Sequence, residues 1–337
     1  MHIHKNFPLR NYNTFGIQSI AQTFASFSSL QELEELATIP HLPLNKLVIL
    51  GGGSNILFTS NCEVVFKNEI IGIDVVKEEN NNIYVRAGAG VKWNDLVQYC
   101  ITNNYGGIEN LILIPGNCGA APMQNIGAYG VELKDAFYEL TAYDYLENSV
   151  IKFSSHDCDF RYRDSVFKRK YKGQYVILDI VLRLQRDPVF NISYTSLEKE
   201  LERMRITDLS LQSISQAVIN IRTSKLPDPE IIGNAGSFFK NPEISQEEYH
   251  RLVNLHPGII GFGIKDNKKK IAAGWLIEQC GYKGYRNGDA GCYEKQALVL
   301  VNYGGASGKD IFNLSEQIIH SVFKEFKILL EREVNII

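Results

Sequence analysis

Residues 110–130, Asn-Leu-Ile-Leu-Ile-Pro-Gly-Asn-Cys-Gly-Ala-Ala-Pro-Met-Gln-Asn-Ile-Gly-Ala-Tyr-Gly, set the narrowest limit on what this chain can fold into. The run is too apolar for a solvated linker. With Gly116, Gly119, Gly127, Gly130 and two prolines, it is also too irregular for a helix or a strand. Buried irregular backbone still needs a partner for each N–H and C=O. Such a stretch therefore either folds on itself or wraps a ligand, as loops held on a rigid scaffold commonly do.

The chain is long enough to supply that scaffold, since 337 residues suffice for two or three domains with cores of their own. A hydrophobic content of 45% and a charged content of 22% are those of an ordinary globular protein. The net charge of -3, with no Lys/Arg block, gives no footprint for nucleic acid, so an anionic ligand would need a local cluster of cations. The six cysteines are scattered, with no C-x-x-C pair and no His at zinc-finger spacing. They read as reduced thiols, and neither a disulfide framework nor a metal site is expected. Residues 1–10 lack the apolar core of a signal peptide, and no apolar run nears the roughly 18 residues a bilayer span needs. A soluble, cytoplasmic protein without membrane insertion is expected.

A second glycine-rich turn follows the apolar strand expected at residues 46–50. Gly51-Gly52-Gly53-Ser54-Asn55 can present successive backbone N–H groups to an anion such as a pyrophosphate, or be a plain tight turn. It is not a dinucleotide fingerprint, because Ile56 stands where the third glycine belongs and residues 56–58 read as another strand. A third stretch, Gly233-Asn-Ala-Gly-Ser-Phe-Phe-Lys-Asn-Pro242, puts Ser237 between permissive glycines and two rings. It can equally be a buried turn ahead of an aromatic core strand.

Between these lie regular elements. Ser29 and Glu32 suggest a capping box for a helix over 29–36. Residues 93–103 read as a helix after a strand at 83–87, and 138–143, 150–153 and 175–184 as a meander. Phe160-Arg-Tyr-Arg-Asp-Ser-Val-Phe-Lys168, if extended, puts Tyr162 and Asp164 on one side and Arg161, Arg163 and Ser165 on the other. Otherwise Arg163 pairs with Asp164 on a solvated edge. Residues 188–211 look like an insertion with Tyr194 and a charged helix over 196–205. A helix at 211–222 should end before Pro227. The last third reads as helices at 245–255, 271–280 and 307–327, a strand at 297–302, and a closing strand at 328–337 on which Glu331 and Glu333 share a face.

In that set and order, the glycine turn, the Pro-Gly loop ending Gln-Asn-Ile-Gly-Ala-Tyr-Gly, the Tyr-Arg-Asp-Ser segment and the Gly-Ser-Phe-Phe-Lys-Asn-Pro stretch resemble the UDP-N-acetylenolpyruvoylglucosamine reductase family. The resemblance runs from Asn13-Thr14-Phe15-Gly16 to Glu333-Val334. It implies an α+β fold: a two-part FAD-binding unit of the vanillyl-alcohol-oxidase (PCMH) type plus a separate α/β substrate-binding domain. The implied division is 1–70 with 327–337, then 71–222, then 223–326. It further implies that NADPH reduces non-covalent FAD and departs, after which an enolpyruvyl sugar nucleotide takes the hydride. The catalytic set carries over to Ser237 as proton donor with Arg163 and Glu333, and Glu333 is chosen over Glu331 because it directly precedes the branched Val334. Substrate contacts carry over to Tyr162, Tyr194, Arg222, Lys225, Asn241 and Gln296. Flavin contacts carry over to Gly51, Gly52, Gly53, Ser54 and Asn55, and to Pro115, Gly116, Ala120, Gln124, Asn125, Ile126 and Gly127. Tyr194, within the insertion at 188–211, marks the family's first type. Ser54, with no His beside the glycines, implies that FAD is not covalently tethered. Asn117-Cys118 and Asn335 depart from the family's commoner residues, which bears on FAD affinity more than on the reaction. A monomer is expected. An oxidase of the same flavin fold is the alternative enzyme, and a nucleotide-binding protein without turnover the alternative class.

Overall fold

The computed structural model describes residues 2–264 and 267–337 and divides into two compact units. The first comprises the chain up to Phe7, Ile20–Gly53 and Cys62–Ser224. It holds a four-stranded sheet in the order Ile3–Pro8, Ile20–Phe27, Cys62–Asn68, Leu47–Leu50. Cys62–Asn68 pairs in parallel with both of its neighbours. Parallel strands are usually covered on both faces, and Val64, Val65 and Phe66 are accordingly buried in succession. The helix Leu30–Ala37 follows Ile20–Phe27, with the Ser29 hydroxyl accepting from the Glu32 N–H at 3.2 Å. The Glu32 carboxylate reaches back one residue further than a capping box requires, to the N–H and hydroxyl of Ser28.

The same unit carries a five-stranded sheet in the order Ser149–Ser154, Phe137–Asp144, Tyr175–Gln185, Asn82–Gly88, Ile73–Glu79, antiparallel throughout. Its apolar face shares one core with the helices Trp93–Thr102 and Leu211–Lys225. The apolar loop is sewn into that core: Leu111, Ile112, Cys118 and Ala121 are buried there. Its backbone finds the partners that burial demands. Gly116 C=O accepts from Trp93 N–H, Cys118 N–H donates to Val91 C=O and Gly119 N–H to Ala89 C=O, all at 2.8–3.0 Å.

The second unit comprises Pro8–Ser19, Ser54–Asn61 and Lys225–Ile337. Its main sheet runs Gly233–Ser237, Gln296–Asn302, Ala290–Tyr293, Arg286–Asn287, all antiparallel, with the helices Ala273–Gln279 and Gly308–Phe326 packed against it. A smaller sheet joins Glu243–Ser245, Lys268–Ile271 and Gly261–Ile264. Asn13 is buried and bonds the backbone of Leu9 and Ile17, while Thr14 and Phe15 offer their carbonyls to Asn234 N–H and the Asn302 amide. Asn-Thr-Phe-Gly is thus a clip within this unit. The chain end closes it, with Asn335–Ile336 parallel to Ile56–Leu57.

Several expectations shift. Arg163 has φ +53° and Arg161 bridges Asp164, so 161–164 is a tight turn and not an extended strand. Asp164 is paired with Arg169. The helix expected to stop at Arg222 runs to Lys225, two residues short of Pro227, because proline bars helix only from its own position and the one before it. Ile271 ends a strand, and its helix begins at Ala273. The closing strand shrinks to Asn335–Ile336 plus a single bridge between Phe239 and Arg332.

Candidate active site

Within the first unit the two glycine-rich stretches lie side by side. A Cβ on Gly52 would stand 2.8 Å from Asn117 Oδ1 and 3.1 Å from Gly116 Cα, and one on Gly51 would stand 3.4 Å from Asn117 Cβ. Asn117, a departure in sequence, is part of the joint: its amide donates to Gly90 C=O at 2.7 Å. Cys118, the other departure, is fully buried in the core. A cavity of about 190 Å³ opens beside them, lined by Gly51, Gly119, Ala120 and Met123 among others. Of the residues expected to touch a flavin, Gly51 and Ala120 line it directly. Pro115, Gly116, Gln124, Ile126 and Gly127 follow on the same loop, with Gln124 Oε1 accepting from Lys168 at 3.3 Å. Gly53 is buried in this unit; Ser54 and Asn55 belong to the second.

The loop continues into a cationic cluster. Arg163 donates from Nη2 to Gly127 C=O at 2.5 Å, its guanidinium carbon lies 5.4 Å from the Tyr162 ring centroid, and a Cβ on Gly127 would stand 3.0 Å from Nη1. The turn that aims it is held from both sides. Arg161 and Asp164 exchange backbone bonds at 3.0 and 3.2 Å, and the Ser165 hydroxyl donates to Met123 C=O at 2.7 Å. Arg222, near the end of its helix, is attracted to Tyr129 and feels the Arg163 charge. Burial pushes the Arg222 pKa down and the Tyr129 phenol up, each opposed by their mutual attraction. Arginine starts so far above neutrality that it stays charged. Tyr194 meets the Tyr129 ring edge-on at 5.4 Å and is 44% exposed. Two guanidiniums and three phenols thus converge where an anion can be neutralised.

Tyr129 was missed on the sequence, although it lies within the very motif singled out. Its sign was a tyrosine amid glycines, and it sits at φ +48°, a region bulky residues seldom adopt. Asn110, buried, ties Tyr129 C=O to Asn191 C=O at 2.9 and 2.8 Å, which anchors the segment that carries Tyr194. A buried asparagine at the head of an apolar run was the clue.

In the second unit Ser237 ends its strand opposite Val299, after Gly236 at φ +68°. Among the described residues its half-buried hydroxyl has no hydrogen-bond partner. The next residues pair with the chain's end: Glu333 N–H donates to Phe238 C=O at 2.8 Å and Lys240 N–H to Glu331 C=O at 2.9 Å. Glu331 is 71% exposed and ion-paired to Lys240, whereas Glu333 is half-buried, its carbonyl accepting from the Asn55 amide at 3.3 Å. Asn335 in turn donates to Asn55 C=O at 2.9 Å. Asn241 and Gln296 meet over the start of Ala273–Gln279: Asn241 Oδ1 accepts from Ala273 N–H at 2.9 Å, and Gln296 Oε1 lies 2.8 Å from where Gly274 would carry a Cβ. Lys225 is exposed at the helix end. Among the described residues no group of His, Cys, Asp and Glu is placed to hold a metal, and no helix is long and apolar enough to cross a membrane.

Residues 228–337 match the model of the UDP-N-acetylenolpyruvoylglucosamine reductase C-terminal domain, and residues 22–147 match an FAD binding domain. The chain is 46% identical to a UDP-N-acetylenolpyruvoylglucosamine reductase of Amoebophilus asiaticus over 100% of both chains. It is 42% identical to that of Flavobacterium johnsoniae over 100% of both chains. The crystal structure of UDP-N-acetylenolpyruvylglucosamine reductase from Thermus caldophilus shares the fold with a TM-score of 0.69, at 23% identity over 99% of this chain and 98% of that one. The α+β class, with an FAD-binding unit and a separate C-terminal domain, is as the motifs implied.

Proposed function

This chain belongs to the UDP-N-acetylenolpyruvoylglucosamine reductase family, and from that premise we propose how its own residues act. It is an oxidoreductase that reduces the enolpyruvyl group of UDP-N-acetylglucosamine enolpyruvate to the lactyl ether of UDP-N-acetylmuramate, a peptidoglycan precursor, with FAD and NADPH. The residues present suit the flavin, because at Gly52 the glycine turn approaches the Pro-Gly loop too closely to admit a Cβ without a shift, and both stretches border a cavity. Gly51–Asn55 and the segment from Pro115 to Gly127 would hold it without a covalent tether. Bound FAD supplies the two-electron relay between NADPH and the sugar nucleotide.

Reduction at the enolpyruvyl methylene leaves negative charge on the adjacent carbon and its carboxylate. Arg163, permanently charged, and Glu333, able to hydrogen-bond, stabilise that charge as it develops. Ser237 then donates its proton to the carbon. A hydroxyl is a poor acid in water, but a carbanion is a strong base and the site is desolvated. Tyr162, Tyr194, Arg222, Lys225, Asn241 and Gln296 hold the carboxylate and diphosphate, and Tyr194 makes this a first-type member. Functionally we divide the chain into 1–70 with 327–337 and 71–222 for the flavin, and 223–326 for the substrate. A cytoplasmic monomer completes the reading.

The observation that carries it is the ladder from Phe238 to Glu333, which keeps a hydroxyl without a hydrogen-bond partner among the described residues and a half-buried carboxyl close together in one unit. The test is purified protein with NADPH, with and without the enolpyruvyl sugar nucleotide, followed at the flavin and nicotinamide bands. Sugar-dependent NADPH loss is expected. Loss with oxygen alone would make it an oxidase, and a colourless protein would leave a nucleotide binder.

A further inference from the structure

Resting on the role proposed for Arg163, we infer that the Asn125 side chain is the positioning link that couples the Gln-Asn-Ile-Gly loop to the turn carrying Arg163. Asn125 is fully buried and sits at φ +46°. Asparagine tolerates this left-handed region better than most side chains, though it still carries a cost. The return is a side chain with both donors and its oxygen engaged. Nδ2 donates to Arg161 C=O and to Glu132 Oε2, each at 3.0 Å, while Oδ1 accepts from Lys134 N–H at 3.0 Å. Arg161 is the residue at which the turn closes on Asp164, so this bond fixes one root of the turn. Two residues along its own loop, Gly127 C=O receives the Arg163 guanidinium. Asn125 therefore pins both ends of the arrangement: the loop that offers the acceptor and the turn that aims the donor. Both amide hydrogens are committed, so the side chain has no donor to spare for a cofactor, and any N–H this position gives to FAD comes from its backbone.

Asn125→Gly removes the three side-chain bonds while accepting the same φ without strain. A misplacement of about 1 Å in a positioned group can cost on the order of 10²-fold, so a loss of about 10- to 100-fold is expected. Reduction of the enolpyruvyl substrate should fall by that order through kcat more than KM, with bound FAD retained per chain. In an Arg163→Met background the same change should cost almost nothing further, because both act through one guanidinium. A direct readout needs no turnover: the Arg163 Nε–H resonance, assigned by its absence in Arg163→Met, should shift or broaden in Asn125→Gly. If the glycine variant does not fold, Asn125→Asp keeps the volume but loses both donors, and the same pattern is expected. Equal cost in both backgrounds, an unmoved Nε–H signal, or loss of FAD from a folded variant would each overturn the inference. Should the wild type show no sugar-dependent turnover, the function proposal fails, while the resonance still decides the link.

Discussion

The two units prepare their functional groups in opposite ways. Around Arg163 the bracing goes beyond backbone pairing: the Asn125 side chain on one root of the turn, the Ser165 hydroxyl just after it, Gly127 C=O at the guanidinium and Arg169 across Asp159 and Asp164 outside. Around Ser237 the bracing among the described residues is backbone ladder alone, to Val299 on one side and, through Phe238, to Glu333 on the other. A guanidinium that must wait for charge to develop works best when it cannot move, since preorganised donors cost no reorganisation during reaction. A hydroxyl proposed to give up its proton works best with no acceptor already holding it. The contrast fits the roles proposed for the two residues, an electrostatic one for the braced guanidinium and a proton transfer for the hydroxyl.

The largest test of this contrast is Ser237→Ala. General acid catalysis contributes roughly 10² to 10⁴ in rate, so reduction of the enolpyruvyl substrate should fall by that order in single-turnover stopped flow. Flavin reduction by NADPH should stay nearly as fast, and an equal loss in both half-reactions would count against the assignment. Next comes Arg163→Met, which removes a fixed donor and should cost about 10² to 10³ in the same step. The two differ in pattern as well as size. Bringing the arginine back as Lys should restore little, since ammonium lacks the planar fork that reaches Gly127 C=O and the substrate together.

How much of this was legible beforehand follows the same division. The loop over 110–130 announced itself because apolar Gly/Pro-rich backbone must find partners, and Ser237 stood out between permissive glycines. Helices with strong caps, at Ser29, Ser245 and Ser307, began where expected. The Tyr-Arg-Asp-Ser segment misled, because period-two alternation suggests a strand whereas tertiary bonds to Asn125 and Met123 impose a turn with a non-glycine at positive φ. The short strands Glu243–Ser245, Gly261–Ile264 and Ala290–Tyr293 were invisible for a related reason: three or four residues carry too little periodicity. The attraction between Tyr129 and Arg222 joins positions far apart in sequence, and nothing local points to it.

Smaller changes separate two kinds of glycine. Gly52→Ala meets Asn117 Oδ1 at 2.8 Å and backbone Gly116 Cα at 3.1 Å, so the two loops must part. Overpacking of this sort costs about 1–3 kcal/mol. Flavin content per chain, read from the visible spectrum after gel filtration, should drop with it. Gly236→Ala meets nothing within 4 Å but must hold φ +68°. Its cost is the left-handed conformation alone, about 1–2 kcal/mol, visible as a lowered Tm with flavin retained. Reversed outcomes, with Gly52→Ala neutral and Gly236→Ala losing flavin, would move the cofactor contacts to the second unit.

The smallest expected effect sharpens the choice between two carboxylates only two residues apart. Glu331 pairs with Lys240 but is mostly in water, and such pairs are worth about 0–1 kcal/mol. Glu331→Gln should therefore leave Tm and both half-reactions close to wild type. Glu333→Gln keeps the size and the hydrogen bonds of its backbone but removes the group proposed to meet the enolate, so only the second half-reaction should slow. Both residues lie on the same short segment, hence any general disturbance of the chain's end would appear in both variants alike. Kinetic loss in Glu331→Gln equal to that in Glu333→Gln would mean that the ladder, and not the carboxyl at 333, supports Ser237.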